Sequence, residues 1–522
     1  MGETFRAMLV LVVVLFSGAA EFCSGWNTSF SRIEREREAL LKFKLCFHDP
    51  SHMLSSWKGN NCCEWRGVDC DKNNGYVISL QLRGSISDQF LQYSIDDQQS
   101  HQLYIIDDVE KVVSSLLKLR YLEHLDLSRN NFGGNLIPPS FGLMKQLRYL
   151  NLSYAQFTGR IPSELGNLTR VRVLDLSQYY YGRLKVDDDI HLYGELHIAL
   201  KKFTSLVILD LGENKFSGNL TSIVSGKIRN HSLKVLRLRK NLVSGYIPLE
   251  LCSLSHLQIL DLANNNMTGR IPPCFGKFPI MVNATQLFNK VIEKYWYRSH
   301  LMVVVKGRNL EYTRKPLRLE SSIDLSSNNL IESIPEELIF LKDLHNLNLS
   351  WNHLSGKIPE KIGQMENLES LDFSQNGLSG TIPKSMSSLT KLSYLNLSYN
   401  NLSGPIPTGH QLQTLEDPTI YIGNPQLCGA PPLKKCSNDA LPPTTTNFKD
   451  NDDSALKRMW FYIVVVSGFA TGFWGVVATL IFVKSWRYAY FQRVDNIKHW
   501  ILVVITLKVA QFKKMFNGNP YD

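Results

Sequence analysis

Leu344-His-Asn-Leu-Asn-Leu-Ser-Trp-Asn-His-Leu-Ser-Gly-Lys-Ile-Pro359 decides the fold because it recurs. After 24 residues Leu368 opens Leu-Glu-Ser-Leu-Asp-Phe-Ser-Gln-Asn-Gly-Leu-Ser-Gly-Thr-Ile-Pro383, and after another 24 Leu392 opens a third copy. Toward the amino end the same frame starts at Glu320, Leu257, Leu233, Leu206, Val171, Leu147 and Leu122, with a degenerate copy at Val77, so eleven units are present. A fixed period of this length marks stacked repeats rather than a globular domain.

Each feature of the unit has a mechanical reason. Counting from the opening residue, the leucines at offsets 0, 3 and 5 predict a short strand and turn whose apolar side chains stack into one core. Asparagine recurs at offset 8, as Asn130, Asn214, Asn241, Asn265, Asn328, Asn352, Asn376 and Asn400. Its amide is expected to bond the backbone of its own turn and of the next coil, which keeps buried polar groups satisfied. Glycine at offset 12 permits a tight turn, and the following Ile-Pro starts the convex side. The fold class is an α/β solenoid, a horseshoe or superhelix with eleven strands spaced ~4.8 Å apart, so the curved sheet is roughly 50 Å long.

A solenoid needs capped ends. Glu38-Ala-Leu-Leu-Lys-Phe-Lys44 has helical apolar spacing and leads to Trp57 and Cys62-Cys-Glu-Trp-Arg-Gly-Val-Asp-Cys70. At the other end stand Gly423-Asn-Pro-Gln-Leu-Cys428 and Cys436. Arg6 precedes an apolar run from Ala7 to Phe16 and small residues near Ala20 and Gly25, which reads as a cleaved export signal. Export favours disulfides over a zinc site for these cysteines. Met459 to Val483 is 25 residues without a charge, flanked by Lys457-Arg458 and Lys484. That suits one membrane helix, for which ~20 apolar residues suffice, with the basic tail inside. Asn27, Asn151, Asn167, Asn219, Asn230, Asn266, Asn283, Asn348, Asn396 and Asn401 begin N-x-S/T sequons, all before that helix. Asn151, Asn348 and Asn396 share one repeat offset within L-N-L-S, where the sequon can also be a by-product of the consensus.

Among the 522 residues 20% are charged and 44% apolar, which excludes a disordered chain and a polytopic membrane protein. The formal net charge is +10, and half of it lies in the tail, where seven Lys/Arg face Asp495 and Asp522 over 39 residues. No basic patch with interleaved aromatics occurs elsewhere, so nucleic-acid binding is not expected. The tail is too short for a kinase domain, and clusters such as Asp107-Asp108 and Asp187-Asp188-Asp189 lack ligand spacing. No catalytic residue, metal or cofactor is assigned.

Several stretches together resemble the plant leucine-rich-repeat receptor-like proteins, in particular the class of the fungal-xylanase elicitor receptors. They are Glu36-Arg-Glu-Ala-Leu-Leu-Lys-Phe-Lys44, the cysteine cap at 62–70, the repeat consensus, Val303-Val-Val-Lys-Gly-Arg-Asn-Leu-Glu-Tyr312, Gly423-Asn-Pro-Gln-Leu-Cys428, and Gly468-Phe-Ala-Thr-Gly-Phe-Trp-Gly475 running into Lys484-Ser-Trp-Arg-Tyr-Ala-Tyr-Phe491. The resemblance implies a non-enzymatic single-pass plasma-membrane receptor of plant innate immunity, with its ectodomain outside the cell. It would bind an extracellular peptide or protein of microbial origin and signal through an adaptor receptor kinase and a co-receptor kinase.

The resemblance also sets the organisation. Residues 1–25 are the signal peptide, 26–76 the first cap, 77–278 the first repeat block and 279–319 an island. Residues 320–415 are the last four repeats, 416–458 the second cap and juxtamembrane segment, 459–483 the membrane helix and 484–522 the cytoplasmic tail. Within the island Lys306, Gly307 and Tyr312 are the best-matched positions for co-receptor docking. The pairings Cys63–Cys70 and Cys428–Cys436 are expected in the caps, and Cys252 with Cys274 would bridge adjacent coils. Arg32 stands where the family carries a cap cysteine, which leaves Cys62 to seek Cys46 or Cys23. The family usually carries more repeats before the island.

Gly468, Gly472 and Gly475 form a close-approach face in the membrane helix, expected to hold the adaptor. Tyr488 and Phe491 fit the endocytic pattern Y-x-x-Φ, although Trp486, Tyr488 and Tyr490 also suit headgroup anchoring, which is the favoured reading. Alternatives to the immune receptor are a developmental receptor, a shortened decoy or co-receptor without its own ligand, and a cell-wall or inhibitor-type binding module.

Overall fold

The computed structural model describes residues 33–84, 102–178, 190–196, 200, 202–221, 232–283, 300–306, 308–313, 321–415, 417–429 and 436. The chain divides into compact units at 1–439 and 440–522, and every described residue belongs to the first. The membrane helix with Gly468, Gly472 and Gly475, the tail with Tyr488 and Phe491, and Cys23, Asn27 and Asn230 therefore lie outside the described residues. Among the described residues no helix is long and apolar enough to cross a membrane.

One strand per repeat builds a twelve-stranded sheet. Its eleven parallel members run from Val77–Gln81 through His124–Asp126, Tyr149–Asn151, Val173–Asp175, Ile208–Asp210, Val235–Arg237, Ile259–Asp261, Ser322–Asp324, Asn346–Asn348 and Ser370–Asp372 to Tyr394–Asn396. We number these coils 1 to 11. Each strand after the first covers offsets 2 to 4 of its repeat, and coils 7 and 8 pair directly, Ile259 with Ser322, although 41 residues of island separate their repeats. Leu344, Leu347 and Leu349 are fully buried, as are their counterparts Leu368, Leu371 and Phe373. Burying one such side chain stabilises by roughly 1.5–3 kcal/mol, and the stack repeats that gain in every coil.

The asparagine at offset 8 ties coils together. The Asn352 amide nitrogen donates to Leu349 O and Ser350 O in its own turn at 3.1 Å and to Leu325 O of coil 8 at 3.0 Å. Its oxygen accepts Leu330 N of coil 8 at 3.0 Å. The inter-coil bonds thus reach the preceding coil, not the following one as expected, because the turn sits behind its own strand. At offset 12 the chain bends with φ near +80°, as at Gly356, Gly380 and Gly404. Coil 8 makes the same bend with Glu332, at φ +69°. Beyond the bend, parallel strands on the flank form a second ladder, and short 3-10 helices such as Glu336–Phe340, entered from Pro335, line the convex side.

The amino cap is a helix over residues 33–45 packed on the first coil. Buried Glu36 accepts Val77 N at 2.9 Å, so a carboxylate closes the first strand. Trp57 and Trp65 stack at 5.4 Å, and Val68–Cys70 runs antiparallel to coil 1, ending the parallel ladder. Disulfides join Cys63 to Cys70, Cys252 to Cys274 and Cys428 to Cys436, with Cα separations of 5.5, 6.0 and 5.1 Å. Cys46 and Cys62 are both buried and free, so the bond considered between them is absent. Cys62, Cys63 and Cys70 cluster within 4.8 Å, but two of these sulfurs are bonded to each other, which removes them as metal ligands.

At the carboxyl end the repeat frame does not stop at residue 415. Asn424 lies 24 residues after Asn400; its nitrogen donates to Leu397 O and Tyr421 O at 3.0 Å, and its oxygen accepts Leu402 N. Gln426–Cys428 then continues the flank ladder in parallel with Asn401–Pro405. The cap is a truncated twelfth coil, whose frame, counted back eight residues from Asn424, opens at 416.

Candidate functional site

The concave face is built from offsets 2 and 4, since offset 3 points into the core. At offset 2, Tyr149, Val173, Ile208, Val235 and Ile259 pack as one apolar line across coils 3 to 7. In coils 8 to 10 the same position carries Ser322, Asn346 and Ser370. The face therefore changes from apolar to polar at the island.

Offset 4 is almost always Asp or Asn, and its side chain caps the turn that follows. Asp126 accepts Ser128 N and Oγ, Asp324 accepts Ser326 N and Oγ, and Asp372 accepts Ser374 N and Oγ. Coil 6 breaks the pattern with Arg237. Its guanidinium contacts Asp210 at 2.8 Å on one side and Asp261 at 3.3 Å on the other, and Arg239 reaches Asp261 at 3.3 Å. These charges are buried. Burial opposes ionisation of Arg237, yet the Asp210 and Asp261 carboxylates outweigh it and hold the cation more firmly than usual. Burial, reinforced by the Asp210 charge, pushes Asp175 up to about 8. Burial and the Asp261 charge push Asp324 up to about 6. Asp324 Oδ2 has Arg239 at 3.9 Å and accepts no hydrogen bond.

The island contributes an antiparallel hairpin of His300–Val305 and Arg308–Thr313, closed by the Val305–Arg308 pair. Lys306 turns the chain at φ +54°. Its ammonium meets Glu369 Oε2 of coil 10 at 3.1 Å, both groups being roughly 40% exposed. Such a pair is worth at most about 1 kcal/mol, so it adds little to the hairpin's stability. Gly307 lies outside the described residues; Tyr312 pairs with Leu301 across the hairpin.

The flank of coils 7 to 11 holds an open groove of about 700 Å³, lined among others by Ser327, Trp351, His353, Gln375 and Tyr399. Trp351 and Tyr399 are 60% and 50% exposed.

Among the sequon asparagines, Asn167, Asn219, Asn266, Asn283 and Asn401 are exposed. Asn348 and Asn396 are half-buried and accept Ser350 and Ser398 at offset 4. Asn151 does the same and is 1% exposed, so it is corrected to a structural cap: a buried amide is out of reach of a glycan. Of the acidic clusters, Asp108 caps the helix Val109–Leu116 and Asp107 pairs with Lys111 at 2.7 Å, while 187–189 lie outside the described residues. Glu36, Asn424 and the Arg237 ladder were not anticipated. Asn424 had a visible signal, its spacing of 24 from Asn400; Arg237 could have been found as the one cation at offset 4.

A profile of the leucine rich repeat N-terminal domain matches residues 33–71, and leucine rich repeat profiles match 121–144, 146–168, 256–278, 343–365 and 356–402. Receptor-like protein EIX2 of Solanum lycopersicum is 38% identical over 496 residues, 89% of this chain and 46% of that protein. The chain is a leucine-rich-repeat receptor-like protein. Receptor-like protein EIX1 of the same plant is also 38% identical, over 45% of this chain and 22% of its own length. Receptor-like protein Cf-9 of Solanum pimpinellifolium is 33% identical over 42% of this chain. This receptor-like protein thus spans less than half the length of these curated relatives. A solved plant ice-binding protein overlays at a TM-score of 0.47 with 24% identity, over 78% of this chain and 98% of that one.

Proposed function

We propose that this receptor-like protein is a non-enzymatic cell-surface receptor of plant innate immunity. It binds an extracellular microbial peptide or protein along the solenoid and signals through an adaptor receptor kinase and a co-receptor kinase. The observation that carries the reading is the Lys306–Glu369 contact, which seats the island hairpin against the last four coils and offers a composite surface to a co-receptor. The uncharged span at 459–483 with its Gly468, Gly472 and Gly475 face is the place where an adaptor helix approaches, and exposed sequon asparagines such as Asn266 and Asn401 carry glycans.

Affinity purification of the tagged full-length chain from membranes, with and without elicitor, tests this. One receptor kinase is expected in both samples and a second only after elicitor. Absence of any receptor kinase from both samples would contradict the reading.

A further inference from the structure

Offset 7 lies at the edge of each strand, and its residue adopts the left-handed conformation in coil after coil. Ser327, Trp351, Gln375 and Tyr399 have φ of +53°, +55°, +56° and +53°. A shared backbone conformation sends these side chains off the sheet edge in parallel, one per coil. In the first block the same row is charged and self-paired: Arg129 lies over the Tyr154 ring at 5.3 Å, and Lys240 meets Glu213 at 3.0 Å. After the island the row is uncharged, and no ion pair or ring contact engages Trp351 or Tyr399 among the described residues.

Trp351 and Tyr399 stand two coils apart, roughly 10 Å, which is about the span of two sugar rings. Between them Gln375 presents a carboxamide, with the Ser327 hydroxyl and His353 ring nearby in the same open groove. No lining residue is Asp, Glu, Lys or Arg. Exposed flat rings offer an apolar platform with a polar tip, and amides offer paired donors and acceptors. That combination matches the alternating apolar faces and hydroxyl rims of a neutral glycan. A charged peptide would find no counter-charge here.

We infer that the flank groove of coils 8 to 11 is a binding site for a neutral oligosaccharide. Trp351 and Tyr399 stack on alternate sugar rings and Gln375 hydrogen-bonds the hydroxyls between. The site is separate from the island contact at Glu369, which lies at offset 1, before the strand rather than after it. The inference rests on no part of the receptor reading, so kinase recovery and sugar binding fail independently.

The test is isothermal titration of the full-length, enzymatically deglycosylated protein in detergent micelles, so that no sugar carried by the chain competes. The titrants are cello-, xylo- and chito-hexaose. At least one is expected to bind, with Trp351→Ala and Tyr399→Ala each weakening it about tenfold or more, equivalent to about 1.4 kcal/mol. Trp351→Phe retains most of the affinity and Tyr154→Ala all of it. Trp351 and Tyr399 are exposed and Tyr154 is half-buried, and an unchanged far-UV spectrum confirms the fold of each variant. The proposal is overturned if the wild type binds none of the three, or if both alanine variants bind as well as the wild type. It is equally overturned if sugars fail to bind while Trp351→Ala weakens capture of a receptor kinase, which would make the groove a protein contact.

Discussion

Glu332 occupies a bend that glycine makes in coils 9, 10 and 11, and it does so at φ +69°. A side chain in that conformation costs about 1–2 kcal/mol, partly offset because glycine loses more freedom on folding. Glu332→Gly is therefore expected to raise stability by about 0.5–1 kcal/mol, read as an increase in Tm. Arg237 behaves oppositely. Deleting it leaves Asp210 and Asp261 buried without their shared cation, and breaking such a pair costs about 3–5 kcal/mol. Arg237→Ala should lower Tm far more than Lys240→Ala, whose ion pair with Glu213 is more exposed.

The same cluster makes stability depend on pH. Asp175, pushed up to about 8, keeps a proton in the folded state that the unfolded chain releases at an ordinary carboxylate value of about 3.9. Between these values the folded state binds more protons, so stability falls as pH rises and levels off above the folded value. Asp324 adds to the fall over the narrower window up to about 6. Thermal unfolding should show a lower Tm at pH 8 than at pH 5, and Asp175→Asn should flatten the difference. An unchanged slope in that variant would assign the dependence elsewhere.

At the scale of elements, the terminal coil shows why some features read easily from sequence and others do not. The 24-residue period, the leucine offsets and the asparagine ladder were legible because each is repeated, and repetition separates a pattern from chance. The twelfth coil escaped because offsets 3 and 5 hold exposed Thr419 and buried Tyr421 in place of leucine, although Asn424 keeps the period. The Arg237 ladder escaped because a lone substitution at offset 4 looks like surface charge until neighbouring coils bring Asp210 and Asp261 beside it. Removing the three bonds of Asn424 with Asn424→Ala leaves buried carbonyls unpaired, at about 1–3 kcal/mol. Hydrogen exchange should then quicken at Leu402 and in coil 11 while coils 5 to 7 keep their protection.

Over the whole molecule, the apolar concave line runs through coils 3 to 7 and the buried Arg237 contacts through coils 5 to 7, and the chemistry changes where the island interrupts. Coils 8 to 11 keep the repeat geometry but present polar concave positions, an aromatic flank and the seat for Lys306. The candidate surface was legible only as a region, because the contact between Lys306 and Glu369 joins residues 63 apart that no periodicity relates. Whether that contact positions the island for a partner is the central claim, and a charge swap tests it most directly. Tagged full-length protein carrying Lys306→Glu or Glu369→Lys should recover less of the elicitor-dependent receptor kinase from membranes, and the double variant should restore it. Wild-type recovery in both single variants would contradict the role given to the island.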